Sequence, residues 1–227
     1  MKPAAAEARN SLAWQAQSLL LAYPDDQLAD RLTLALKVAA TQPKPIAQPL
    51  VRFAEHAART PLQELAADYV ATFDHRKRCC LFLTYYAHGD TRKRGTALLG
   101  LKQTYAQAGW QITDDELPDH LAVVLEFAAT EPALGSRLLT DHRAGLELLR
   151  LALRDANSPW VHVLDSVSAT LPTLAGDERT AVLRLAAQGP PEEQVGIDPY
   201  APPMPAPGPA PVSAPVFLPD PVVGGPR

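Results

Sequence analysis

An all-α fold is what this sequence predicts, arranged as a single compact domain of about eight to ten helices followed by a proline-rich tail. Between about residue 8 and residue 188, apolar side chains recur at spacings of three and four, which gives each helix one stripe to bury, while alternating runs of period two are missing. Breaks at Tyr23-Pro24, Pro43 to Pro49, Gly89-Asp90, Gly109, Glu131-Pro132, Ser158-Pro159 and Leu171-Pro172 cut this stretch into lengths of about 10 to 20 residues, the usual size of globular helices. The third observation is proline itself: 13 of the 23 prolines fall after Gly189, where each removes a backbone donor and blocks helix. The expected division is a helical domain over 1–188 and a disordered tail over 189–227. No repeat period stands out, which favours one compact domain over a solenoid.

Taken in order, the elements justify themselves locally. The longest charge-free stretch of the N-terminal half, Asn10 to Pro24, contains Gln15, Gln17 and Ser18 and falls short of the roughly 20 apolar residues that span a bilayer. Direct membrane insertion is therefore not expected. Glu7 and Arg9 stand where a signal peptide would need apolar residues, so the expected compartment is the cytoplasm. Thr60-Pro61-Leu62-Gln63 has the form of a capping box with proline at the first helical position, opening a helix with Leu62, Leu65, Ala66 and Tyr69 along one face. CCLFLTYYAHG reads as one helix in which Leu81 pairs with Tyr85 and Phe82 with Tyr86, either a core helix or one whose second face lines a groove. In GDTRKRG, Gly89 permits an unusual backbone turn and Asp90 or Thr91 can cap the helix carrying Leu98, Leu101, Tyr105 and Ala108. DDELPDHLAVVLEFAA begins another helix near Pro118, with Leu121, Val124, Leu125 and Ala128 as its stripe. Asp114, Asp115, Glu116 and Asp119 surround that helix start, either as caps or, for Glu116, Asp119 and His120, as a polar rim beside a peptide groove.

Chemistry is narrowed by what is missing. The 227 residues contain no GxGxxG, GxxxxGK[ST], HExxH or paired CxxC, and the six histidines are scattered singly, so no enzyme, metal or catalytic site is expected. A net charge of −4 offers no global attraction to nucleic acid. Locally, however, Arg76, Lys77, Arg78, Arg92, Lys93, Arg94 and Lys102 face only Asp90 between Arg76 and Lys102. These side chains form either a solvated face or a contact for an anionic partner. Arg92 and Arg94, flanking a helix start where cations are disfavoured, would suit bidentate phosphate contact. The adjacent Cys79 and Cys80 argue for a reducing compartment; with thiol pKa values lowered by Arg76 and Arg78, they would also serve a redox sensor.

The segments YVATFD, LTYYAHGDTRKRG, LKQTYAQAGW and ELPDHLAVVLEFAA occur in fixed order within about 60 residues. They resemble the nitrate reductase molybdenum cofactor assembly chaperones of the NarJ type, a branch of the chaperones that serve twin-arginine-dependent molybdoenzymes. The resemblance implies an all-helical cytoplasmic chaperone, not an enzyme and holding no cofactor of its own. Its partner would be the apo form of the alpha (catalytic) subunit of respiratory nitrate reductase, bound through its N-terminal segment and held open for cofactor insertion before membrane docking. The chaperone would not remain in the final enzyme, and further contacts with molybdenum cofactor biosynthesis proteins are implied. Related chaperones carry Glu-Pro-x-Asp-His at a leader-peptide pocket; Glu116, Asp119 and His120 match its polar positions, with the proline shifted to Pro118. Tyr69 and Phe73 are similar to an aromatic pair of an earlier helix in that family, although Thr72 stands where it has leucine. The expected peptide-binding set is therefore Glu116, Asp119, His120, Tyr69, Phe73, Tyr85, Leu121 and Leu125, with Asp90, Arg92 and Arg94 as anion or client contacts. The alternative is direct binding of the molybdopterin dinucleotide cofactor through Arg92 and Arg94.

Overall fold

The structure is a computed structural model that describes residues 3–113 and 116–174, together with positions 176, 180, 182 and 184. The expected tail at 189–227, and Asp114 and Asp115, lie outside the described residues. Among the described residues ten α-helices follow one another: α1 (Pro3–Leu21), α2 (Leu28–Ala39), α3 (Lys44–Arg59), α4 (Leu62–Phe73), α5 (Leu83–His88), α6 (Arg92–Gln107), α7 (Leu121–Thr130), α8 (Pro132–Asp141), α9 (Arg143–Asp155) and α10 (Val161–Thr170). A short 3-10 turn, Lys77–Cys79, stands between α4 and α5. The all-α architecture is thus present, and no strand occurs among the described residues.

Helix α1 lies against α7, α2, α10 and α8, while α10 also packs on α3 and α9. Its sequence explains this central place: Ala13, Trp14, Ala16, Gln17, Leu20 and Leu21 are all buried, covering more than one side of the helix. Around Trp160, which is fully buried, the rings of Phe53, Tyr69 and Phe73 stand with centroids 5.7, 5.5 and 5.4 Å away. Burial of each such side chain contributes on the order of 1.5–3 kcal/mol. Polar ties lock the register of these helices: Gln17 donates to the Ser166 hydroxyl at 2.8 Å, and that hydroxyl donates to the Ile46 carbonyl at 3.0 Å. Within α9, Glu147 takes Arg143 and Arg150 at 3.0 and 2.7 Å, and across to α10, Asp165 takes Arg150 and Arg154 at 2.9 and 2.7 Å. A second, smaller core of Leu101, Tyr105, Val123 and Phe127 joins α6 to α7 apart from the main one.

Several local expectations are corrected. The Thr60 hydroxyl does not cap α4; it donates backward to the His56 carbonyl at 2.9 Å, and Pro61 holds the cap position without a side-chain bond. Pro49 is not part of a break but sits inside α3, at the cost of the bond its missing N–H would have sent to the Pro45 carbonyl. CCLFLTYYAHG is not one helix. Cys79 ends the 3-10 turn, Cys80 and Phe82 are extended, and only Leu83–His88 is α-helical, so the pairs Leu81–Tyr85 and Phe82–Tyr86 do not stack along a helix face. Gly89 does turn with positive φ (57°), ending α5.

Candidate functional site

The extended backbone at Leu81 and Phe82 is explained by its partner. Phe82 and His120 form an isolated antiparallel bridge, in which the Leu83 N–H donates to the Asp119 carbonyl at 3.0 Å and the Leu121 N–H donates to the Leu81 carbonyl at 2.8 Å. The starts of α5 and α7 are therefore fastened side by side.

Asp119 completes the fastening. It is fully buried, and one carboxylate oxygen accepts from the Thr84 hydroxyl at 2.5 Å and the Thr84 backbone N–H at 3.3 Å. Thr84 occupies the first turn of α5, so Asp119 caps a helix 35 residues earlier in the chain instead of its own. The same oxygen lies 3.5 Å from the Arg94 guanidinium. Arg94 in turn donates from Nε to the Thr84 hydroxyl at 3.3 Å, approaches Asp90 at 3.7 Å, and stands 5.4 Å from the Phe82 ring centre. A cation disfavoured at the start of α6 is here compensated by two carboxylates and an aromatic face.

This placement corrects the reading of Asp119 as a rim or as a cap for α7. His120 occupies the cap position of α7 without a side-chain bond, and Asp119 is turned inward. Glu116 is exposed and His120 half-buried, with its ring 5.5 Å from Phe82 in an edge-on arrangement. Burial pushes the His120 imidazole pKa down, against the opposing pull of Asp119. Tyr85 is half-buried, next to the buried Tyr86, whose hydroxyl is satisfied by the Arg78 and Cys80 carbonyls at 2.9 and 3.0 Å. Leu121 and Leu125 are fully buried in the main core. Tyr69 and Phe73 belong to the aromatic cluster around Trp160, and the Tyr69 hydroxyl donates to the Leu21 carbonyl at 2.9 Å. Asp90 and Arg92 are exposed.

The structure thus gathers Asp90, Arg94, Asp119 and His120, together with Phe82 and Thr84, which the sequence reading did not assign to the site. Phe82 was legible only through its expected pairing with Tyr86 on a core or groove-lining helix, and Thr84 carried no signal, since its partner is remote in sequence. Burial, ahead of the opposing pull of Arg76 at Cys79, pushes both thiols up in pKa, which weighs against the redox reading of the cysteines. Among the described residues, no group of three or more His, Cys, Asp or Glu side chains is arranged to hold a metal. Among the described residues, no helix is long and apolar enough to cross a membrane.

Phe82, Tyr85 and His120 are thus each half-buried, and Glu116, in the loop ahead of α7, is exposed. Residues 40–165 match the family described as the nitrate reductase delta subunit, and the chain belongs to that family. It is 33% identical over 165 residues to the nitrate reductase molybdenum cofactor assembly chaperone NarJ of Bacillus subtilis, covering 70% of this chain and 88% of that one. The Escherichia coli K12 chaperone NarJ is 30% identical over 168 residues, covering 72% and 71%. The nitrate reductase-like protein NarX of Mycobacterium tuberculosis H37Rv is 40% identical over 158 residues, 69% of this chain, which spans only 24% of NarX. Among solved structures, a redox enzyme maturation protein from Archaeoglobus fulgidus shares the fold, with a TM-score of 0.52 and 22% identity over 77% of this chain and 93% of that one.

Proposed function

We propose that this protein is a dedicated chaperone that binds the apo alpha subunit of respiratory nitrate reductase, including its N-terminal segment, and keeps it competent for molybdenum cofactor insertion before membrane docking. The observation that carries this reading is the match to NarJ chaperones across most of their length. The geometry supports a peptide-binding role: aromatic edges at Phe82 and Tyr85, a histidine and the exposed Glu116 suit an amphipathic segment carrying basic residues. In this reading Tyr85, His120 and Glu116 touch the client. Asp119, Leu121, Leu125, Tyr69 and Phe73 support that surface from behind. Arg94 has its guanidinium engaged within the protein, which weighs against the cofactor-binding alternative at Arg92 and Arg94.

Calorimetric titration with a synthetic peptide of the nitrate reductase alpha subunit N-terminus tests it, with a scrambled peptide as control. Saturable binding of the native peptide alone is expected, weakened about tenfold or more in the double variant Tyr85→Ala, Glu116→Ala. Unchanged binding in that variant would relocate the surface, and no binding under any salt or pH condition would sink the N-terminal segment as client.

A further inference from the structure

Two runs of cations that lie apart in the sequence are brought to one stretch of surface. Arg76, Lys77 and Arg78 occupy the 3-10 turn before α5 and its cap, Arg92 and Lys93 open α6, and all five residues are exposed. Asp90 ties the two runs together, with one carboxylate oxygen 4.0 Å from the Lys77 ammonium and the other 3.7 Å from the Arg94 guanidinium. The turn is held from beneath. Cys79 is buried, its N–H donates to the Arg76 carbonyl at 2.7 Å, and the Tyr86 hydroxyl is bonded to the Arg78 and Cys80 carbonyls at 2.9 and 3.0 Å. Tyr86 in turn lies against α9, where a Cβ on Gly145 would stand 2.9 Å from the Tyr86 Cβ. The backbone beneath the cations is therefore fixed before any partner arrives, which lowers the ordering cost of a contact.

Opposite charge within the chain does not satisfy this surface. Between residues 74 and 94 the acidic side chains are Asp74 and Asp90, both exposed, against six cations, of which Arg94 turns inward to Asp119. Arg76, Arg78 and Lys93 form no ion pair among the described residues. The Lys77 contact with Asp90 joins side chains that are 83% and 66% exposed, so water and salt leave it little strength. Crowded like charges raise the energy of the folded domain and are relieved when an anion docks. The chain as a whole carries −4, so the remainder of it is acidic and repels any polyanion long enough to leave the patch.

We propose that this surface docks a short acidic segment of a protein partner, whose carboxylates meet Arg76, Lys77, Arg78 and Lys93. Guanidinium forks take carboxylates bidentately, and the two runs lie on either side of Asp90, so a segment with glutamate or aspartate at several positions reaches both. A single-stranded nucleic acid would need aromatic platforms for its bases, and neither run carries one. A bilayer would need apolar side chains to bury beside the cations, whereas α6 turns its stripe into the small core and leaves Leu99 as its one exposed leucine. The surface uses neither Tyr85 nor Glu116, so it stands or falls apart from the client reading above.

Fluorescence anisotropy of labelled hexaglutamate, titrated with the full chain at low and at near-physiological salt, tests this. Saturable binding is expected, weakening about tenfold as salt is raised through that range. Lys77→Glu combined with Arg78→Glu should weaken it about tenfold, and Lys93→Gln alone about threefold. The charge-matched control, Lys37→Glu combined with Lys44→Glu on exposed residues of α2 and α3, should change it by less than about twofold. The Lys77 and Arg78 variant should unfold at or above the temperature of the parent, because its changes fall on exposed side chains amid like charge. Lys77→Gln combined with Arg78→Gln repeats the loss of binding in smaller degree without introducing new charge. Three outcomes would overturn the proposal. Equal losses in the patch and control variants would reduce the attraction to overall charge. An oligothymidylate of equal charge, or vesicles of equal parts phosphatidylglycerol and phosphatidylcholine, held more tightly than hexaglutamate would make the partner another kind of polyanion. No saturable binding at low salt would remove the surface altogether.

Discussion

Asp119 shows how one side chain can hold two helices and a loop. Its carboxylate is fully buried, meets Thr84 through a hydroxyl and an N–H, and faces Arg94, whose side chain is about one-fifth exposed. Removing it in Asp119→Ala leaves a buried hydroxyl and a helix N–H without their acceptor and Arg94 with Asp90 as its one remaining carboxylate, which should cost about 2–4 kcal/mol. Asp119→Asn keeps the volume and one acceptor oxygen and should lose less; urea unfolding curves of the two variants check the order, and equal midpoints with the parent would remove Asp119 from this role. The neighbouring His120 sets a pH dependence of definite sign. Its folded pKa and that of His162 lie below the ordinary histidine value because burial favours the neutral ring. The unfolded chain therefore binds more protons, and the stability these two sites contribute is complete above about pH 6.5 and is lost as pH falls through the lower folded values. Denaturant midpoints measured in phosphate-free buffer should drop on acidification, and His120→Gln should flatten part of that drop.

Of the described glycines, Gly135 at the α7–α8 corner has the least room for a side chain. A Cβ placed on Gly135 would stand 2.2 Å from the Ala128 Cα and 2.4 Å from its Cβ, so α8 approaches α7 backbone to side chain with no room for a methyl group. Gly135→Ala should destabilise by about 1–3 kcal/mol despite alanine's better helix propensity, because the obstacle is backbone and cannot swing aside. Gly100→Ala on α6, where a Cβ meets nothing within 4 Å, should instead stabilise by about 0.5–1 kcal/mol, and thermal unfolding of the pair reads both signs. Much at this scale was legible beforehand. The stripe Leu121, Val124, Leu125 and Ala128 is buried throughout, and Glu131-Pro132 and Ser158-Pro159 do separate helices. The early part of α5 was not legible, because helical spacing alone cannot show that Leu81 and Leu83 give their backbone bonds to residues 119–121. Nor was the boundary at His142, where α8 ends and α9 begins with no proline or glycine to mark it.

For the whole molecule, the composition and the spacing of its breaks were enough to indicate an all-α domain, since ten amphipathic segments of this length bury their stripes only against one another. The candidate site was half legible: its polar residues stood in sequence order, but which of them face inward depends on contacts between segments that spacing does not encode. We propose that the folded domain lies within 1–188; a chain ending at residue 188 should unfold at the same temperature as the full chain, and a lower midpoint would extend the domain. The bridge between Phe82 and His120 has a consequence for motion. It closes residues 83–119 into a loop pinned at its neck, and α6 within that loop rests on α7 through the separate small core of Leu101, Tyr105, Val123 and Phe127. With α5 held in the main core by Leu83 and Tyr86, opening is confined to α6, so amide hydrogens of α6 should exchange through a sub-global event of lower free energy than those of α1, and both ends of the neck should stay protected while it happens.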